Sequence, residues 1–317
     1  MNAIIAPAIN SSFSVVRRNL QIAWDSTSLG AFKRCPRYYL LYIVEGHRSR
    51  GGNVNLDFGI LLHKGKELFE KLRAAGFSHD EAVVRTVREI MLHTWDSKKK
   101  RPWQTNDSYK NRFTLVRSLV WYFEEYKTDV LKTIILANGK PAVELSFSFD
   151  TTARTRHSDE TFSLCGHIDR LVDFNCYTYV SDVKSTKHEL GERYYKQFTP
   201  HNQFSLYSIA PGITWHVPVK GIIVDAVQVQ VGATKFGRDT VTRTDAQLQE
   251  WLRGFYHFAW QAESYAIDDF WPMNEESCDK YGGCPFRGVC SHSPQARRAW
   301  LAADFIRQPW DPLQVRE

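Results

Sequence analysis

No stretch of the 317 residues approaches the ~18 consecutive apolar residues of a membrane helix. The opening segment, MNAIIAPAINSSF, lacks the early basic region and the apolar run of a secretory leader. A membrane-spanning helix is thereby excluded, and a cytoplasmic location is the expectation. Internal repeats and low-complexity tracts are also missing, so the chain is not a repeat array. A G-x-x-x-x-G-K-[ST] phosphate loop is lacking, so any nucleotide-driven motor must be another chain. Cysteine is sparse, with six in the chain. Without a secretion signal, so few thiols point to metal ligands or ordinary thiols rather than a disulfide framework.

Against these absences stands ample core-forming material, 43% apolar and 14% aromatic residues, enough for one large domain or two ordinary ones. The formal charge of +6 favours polyanionic partners such as nucleic acid, without requiring one.

The first 140 residues read as mostly helical. Thr27 or Ser28 is placed to cap a helix through LGAFKRCPRYYLLYI, with a bend at Pro36. Residues 59–76 have apolar residues at helical spacing and end in Gly76, and Ser78 with Glu81 forms a capping-box pattern for the next helix. Residues 96–112 break the period, after which 113–137 read as one long helix. From Ala142 the period changes to two. Residues 142–150, 162–174 and 177–185 read as an antiparallel meander, followed by a helix from Pro200, a strand VKGIIVDAVQV, and a long helix opened by Thr244 or Asp245. The domains expected are a helical region over 1–140, a core over 141–270 and a cysteine-bearing region over 271–317.

The hairpin GHIDRLVDFNCYTYVSDVKS carries the chemistry. With Asn175-Cys176 as the central turn residues, Phe174 faces Tyr177, Leu171 faces Val180 and Asp169 lands opposite Asp182. Cross-strand neighbours share a face, so the two carboxylates would lie roughly 5 Å apart at Cβ, which is destabilising unless something positive sits between them. A divalent cation satisfies both. Lys184 projects from the same face as Asp182, two residues on. Such a cluster suits phosphodiester hydrolysis: two carboxylates hold Mg²⁺ or Mn²⁺, and the lysine orients the nucleophile or offsets transition-state charge. A solvated hairpin with Lys184 paired to an aspartate fits the same residues. D-x-K alone carries little, because Asp96-Ser97-Lys98 repeats it outside a strand.

Cys278, Cys284 and Cys290 follow one another at equal five-residue gaps, which suit a loop folded around a common centre. Cys165 and Cys176 are expected to be ordinary thiols. KKKRPW with Tyr109 mixes positive charge and aromatic faces, as single-strand grips do, and Lys33, Arg34, Arg37 and Arg48 add charge near the first cysteine.

Together, G-x-x-D-R ending at Arg170, D-x-K ending at Lys184, Gln203-Phe204-Ser205-Leu206-Tyr207 and the upstream Gly59-x-x-x-His63 resemble the PD-(D/E)XK nuclease superfamily, specifically its RecB-like branch. The resemblance runs from STSLGAFKRCPRYYL to the last cysteines. It implies an α/β fold, a restriction-endonuclease-like core with a mixed central sheet flanked by helices, plus an N-terminal helical region and an iron–sulfur staple. His63, Asp169 and Asp182 inherit the role of metal ligands, with the Val183 carbonyl as a further one. Lys184 inherits that of catalytic lysine, and Gln203 and Tyr207, one helical turn apart, line the site. Glu144, on the first strand, is a candidate for the metal shell. Cys35 joins Cys278, Cys284 and Cys290 around a 4Fe–4S cluster, with zinc as the alternative. The implied activity is metal-dependent cleavage of DNA, exonucleolytic on ends or single strands, with a helicase or recombination partner in prospect. The rivals are a non-catalytic binding or assembly protein on the same fold and a zinc-stabilised RNA-binding factor.

Overall fold

The computed structural model describes residues 11–315, so the first ten residues of the segment read for a leader lie outside it. Contacts gather the chain into two compact units, each assembled from separate segments. One comprises Asn53–Leu145 and His167–Arg243, the other Met1–Gly52, Ser146–Gly166 and Thr244–Glu317.

The unit holding the hairpin is organised by a mixed sheet. Strand Tyr177–Thr186 runs antiparallel to Thr161–Phe174 and parallel to Gly221–Val229, which pairs antiparallel with Thr234–Val241. The parallel pair needs a crossover, and helix Asn202–Thr214 supplies it. The hairpin register is the expected one, with Phe174 opposite Tyr177 and Leu171 opposite Val180. Asn175 and Cys176 have φ of 53° and 64°, the two left-handed residues that a type I′ turn demands.

Three helices cover one face of this sheet. Asn53 caps Val54–Ala74 by accepting from the Asn55 and Leu56 amides, and Gly76, with φ of 90°, follows its end. Ser78 and Glu81 complete both halves of the capping box that opens His79–His93. Helix Arg112–Glu125 closes the layer. Phe58, Leu62, Ile90, Leu115 and Leu119 pack there against Val183, Val227 and Val229. Burying each such side chain stabilises the fold by about 1.5–3 kcal/mol before entropy is counted. Strand side chains alternate, so Asp182 and Lys184 point to the opposite face from Val183. There Lys184 meets Gln203 and the Phe204 ring of the crossover helix.

Two expectations fail in this unit. The helix read over 113–137 stops at Glu125, and Lys132–Thr133 joins the sheet opposite Asp173 and Val172. Val130, Thr133, Ile134 and Ile135 are β-branched and fit a pleated surface better than a helix. Strand Thr234–Val241 was not read, because Lys235, Arg238 and Asp239 give it the polar pattern of a sheet edge.

In the other unit Asp25, rather than Thr27 or Ser28, caps helix Ser26–Arg34, its carboxylate accepting from the Ser28 amide. The chain breaks at Cys35, and Pro36 opens the next turn, as expected of a residue without an N–H. Trp24 stacks on Tyr39 at 5.3 Å and meets Phe255 of the long helix Asp245–Ile267, which Thr244 caps with Gln247. Helix Pro294–Asp304 was also unread. It has no buried residue, so no apolar period marks it. No helix among the described residues is long and apolar enough to cross a membrane.

Candidate active site

Regular pairing in the hairpin extends from Phe174–Tyr177 to Arg170–Ser181. One step further, Asp169 Oδ2 accepts from the Val183 amide at 2.8 Å. His63, from helix Val54–Ala74, places Nδ1 3.2 Å from the same carboxylate oxygen and Nε2 3.1 Å from the Val183 carbonyl. Both partners are acceptors, so the contacts are satisfied together when both ring nitrogens carry protons. Burial disfavours the imidazolium, but Asp169 outweighs it and raises the His63 pKa. Burial likewise opposes ionisation of Asp169, and His63, Lys184 and the Val183 N–H overcome it and hold the carboxyl below its ordinary range.

Glu144 completes the group. Its φ of 50° is left-handed, uncommon for a strand residue without glycine's freedom. Ligand atoms of His63, Glu144 and Asp169 lie within 4.8 Å of one another. They border a cavity of about 20 Å³, the size of one water or ion, also lined by Glu67, Glu70 and Val183.

Asp182 is not in that trio. Its side chain is 0% exposed, with Lys184 Nζ 2.6 Å from Oδ2, yet neither oxygen finds a well-aligned hydrogen bond among the described residues. The close Lys184 contact is therefore an ion contact rather than a directed bond. Burial pushes the Asp182 pKa up and Asp169 adds to this, while Lys184 opposes it. Lys184 also donates to Gln203 Oε1 at 2.9 Å, Gln203 Nε2 donates to the Tyr207 hydroxyl at 3.0 Å, and that hydroxyl donates to the His167 carbonyl.

The sequence-derived residues thus fall into two sets. His63, Asp169, the Val183 carbonyl and Glu144 gather at the cavity, while Asp182, Lys184, Gln203 and Tyr207 form a linked chain. Several neighbours went unread. Lys66 Nζ contacts Asp225 at 2.6 Å and Arg170 Nη1 contacts Glu70 at 2.9 Å. His63, Lys66, Glu67 and Glu70 stand three, four and seven positions apart, a polar stripe on one helical face that could have revealed them.

Cys35, Cys278, Cys284 and Cys290 all belong to the other unit and are free thiols, as are Cys165 and Cys176. The Cys284 amide donates to the Cys278 carbonyl at 2.8 Å, and the Asn274 amide donates to Cys35 Sγ at 3.3 Å. Burial raises the pKa of Cys284, with Cys278 and Cys35 adding to it and Arg34 opposing. Cys290 is raised by burial too, with added push from Cys284 and Cys35. Among the described residues, two groups bring three metal-capable side chains within 4.8 Å, the trio above and an exposed His79–Asp80–Glu124, and neither contains a cysteine.

The family profile of the PD-(D/E)XK nuclease superfamily matches residues 24–291. The chain belongs to the PD-(D/E)XK nuclease superfamily. As a PD-(D/E)XK protein it bears a remote likeness to a solved Eubacterium rectale protein described as a candidate exonuclease, at 9% identity and a TM-score of 0.49, covering 81% of this chain and 86% of that one. A second solved structure, SSO0001, is also 9% identical, with a TM-score of 0.31, covering 74% of this chain and 96% of that one. No curated protein matches this PD-(D/E)XK chain.

Proposed function

We propose that this PD-(D/E)XK protein is a metal-dependent deoxyribonuclease, acting as an exonuclease on DNA ends or single strands. The observation that carries this reading is the partly buried trio of His63, Glu144 and Asp169 around a cavity of about 20 Å³, beside an Asp182 carboxylate without a directed partner among the described residues. Two carboxylates and an imidazole in so small a space, with a third carboxylate nearby, are the donor chemistry of a hard divalent cation. His63, Glu144, Asp169, Asp182 and the Val183 carbonyl would hold Mg²⁺ or Mn²⁺. When bound, such a cation supplies Lewis-acid chemistry, activating water and neutralising charge that develops on the phosphoryl group.

The protein's own groups prepare the rest. Asp182 and Gln203 fix the Lys184 ammonium from two sides, and Tyr207 in turn holds Gln203. A positioned ammonium offsets the negative charge of the pentacovalent transition state or orients the attacking water. The preference for DNA ends or single strands rests on the resemblance of these motifs to the RecB-like branch.

As a second element, we propose that Cys35, Cys278, Cys284 and Cys290 hold a 4Fe–4S cluster. Four half-buried thiols with Arg34 and Arg37 beside them offer the donors and the compensating charge for a thiolate-bound metal. Tetrahedral zinc needs sulfurs about 3.8 Å apart, given Zn–S bonds of ~2.3 Å. Among the described residues no group that tight contains a cysteine.

The test is cleavage of end-labelled single- and double-stranded DNA with Mg²⁺ or Mn²⁺. Wild type should cut, and Lys184→Ala should lose about 10²-fold or more in rate. Equal cleavage by both would assign the activity elsewhere.

A further inference from the structure

The cysteine-bearing unit also contains a cavity of about 700 Å³, large enough for a small organic ligand. Arg18, Arg37, Arg297, Arg298 and Arg307 line it, against two acids, Glu45 and Asp269. Glu45 is already engaged, with Oε2 3.1 Å from His47 Nε2. Guanidinium groups around one space repel one another, and an anion among them relieves that repulsion. Cys290, one of the four thiols proposed to hold the cluster, lines the cavity as well. Arg37 is fixed in place, donating from Nε to the Trp271 carbonyl at 2.7 Å.

Two further side chains lining the cavity carry buried polar atoms without partners. Trp271 is 2% exposed and its Nε1 finds no partner among the described residues, and His47 is 8% exposed with Nδ1 in the same condition. Both atoms are sealed from solvent, so they face the packed interior rather than the cavity, and the demand for an anion rests on the arginines. Phe270, also on the wall, is 61% exposed. An aromatic face beside guanidinium groups is the pairing that holds a base next to its phosphate, and bare phosphate would need neither the phenyl ring nor this volume.

We propose that this cavity binds single-stranded nucleic acid through a phosphate, with the arginines on the phosphate oxygens and Phe270 stacked on the adjoining base. None of its residues belongs to the His63–Lys184 site, so the proposal goes beyond the catalytic reading and stands without it.

Fluorescence anisotropy on the full chain, without added divalent cation, tests it. The probe is a labelled oligothymidylate, with or without a 5′-phosphate, titrated across a salt series. Arg298 and Arg307 are exposed, so Arg298→Ala/Arg307→Ala removes charge from the cavity while sparing the core. Affinity should fall about tenfold or more, and the salt slope should flatten by about 1.4, the share of two phosphate contacts on a single strand. Phe270→Ala should weaken binding about tenfold with the salt slope unchanged. Arg88→Ala/Arg253→Ala removes the same charge from exposed positions outside the cavity and should leave the slope near wild type. Tighter binding of the 5′-phosphorylated probe assigns the site to strand ends, and equal binding assigns it to internal phosphates. Inorganic phosphate should compete in either case. Unchanged affinity and slope in the cavity pair, or the same loss in the control pair, overturns the proposal. Thermal melting of each variant separates a lost contact from a lost fold, and Phe270→Ala, exposed and uncharged, reads the site independently of both arginines.

Discussion

Asp225 is fully buried, yet three groups converge on it: Lys66 Nζ at 2.6 Å, Arg238 Nε at 3.3 Å and the Tyr122 hydroxyl. Burial alone would raise its pKa, but Lys66 and Arg238 prevail and hold it at about 2. The unfolded chain, with an ordinary carboxyl near 4, takes up the proton first as pH falls. The stabilisation is therefore complete above pH ~4 and lost progressively down to pH ~2, on the order of 2 kcal/mol. Urea unfolding across that window should show a falling midpoint, and Asp225→Asn should flatten the fall. An equally steep fall in Asp225→Asn would move the effect to other carboxylates. At this same scale the catalytic candidates were legible unevenly. The turn made the register from Phe174–Tyr177 to Arg170–Ser181 readable, but the expected Asp169–Asp182 facing pair lies one step beyond it, where Asp169 turns to the Val183 amide and His63 instead. Glu144 could not be secured, because its place depends on a φ of 50° that no local pattern announces.

Between elements, one close approach is where helix Val54–Ala74 crosses Arg112–Glu125. A Cβ on Gly65 would come within 2.7 Å of both Leu119 methyl carbons, and Leu119 is 0% exposed. Gly65→Ala must push Leu119 from its rotamer inside a packed layer, at a cost of about 1–3 kcal/mol, less the helix propensity that alanine returns. Because Gly65 lies two residues from His63, the strain should also reach the site. Denaturant melts should show a lower midpoint, and an unchanged or higher one would mean that Leu119 has room to move. Element boundaries were readable where a side chain caps a helix, as at Ser78 and Thr244, and where Asn175-Cys176 forces a turn. They were lost where packing decides, as at Lys132–Thr133, whose place in the sheet depends on partners Asp173 and Val172 some forty residues away.

At the scale of the whole chain, sequence order and spatial grouping part company. Cys35 and Cys278 are separated by more than two hundred positions yet share one compact unit. Closing so long a loop costs entropy that grows only logarithmically, so a few metal–thiolate bonds offset it. Anaerobic purification should yield about four irons and four sulfides per chain, and Cys284→Ser should lose them and melt at a lower temperature. Zinc in place of iron, or an unshifted melting temperature, would remove the cluster from the account.

Everything proposed about hydrolysis depends on the His63–Glu144–Asp169 cavity accepting a divalent cation. Mn²⁺ binding followed by electron paramagnetic resonance on the full chain measures this without any cleavage. Wild type should bind Mn²⁺, and Glu144→Gln and Asp169→Asn should each weaken it roughly tenfold or more. Binding of equal strength in all three would contradict the account.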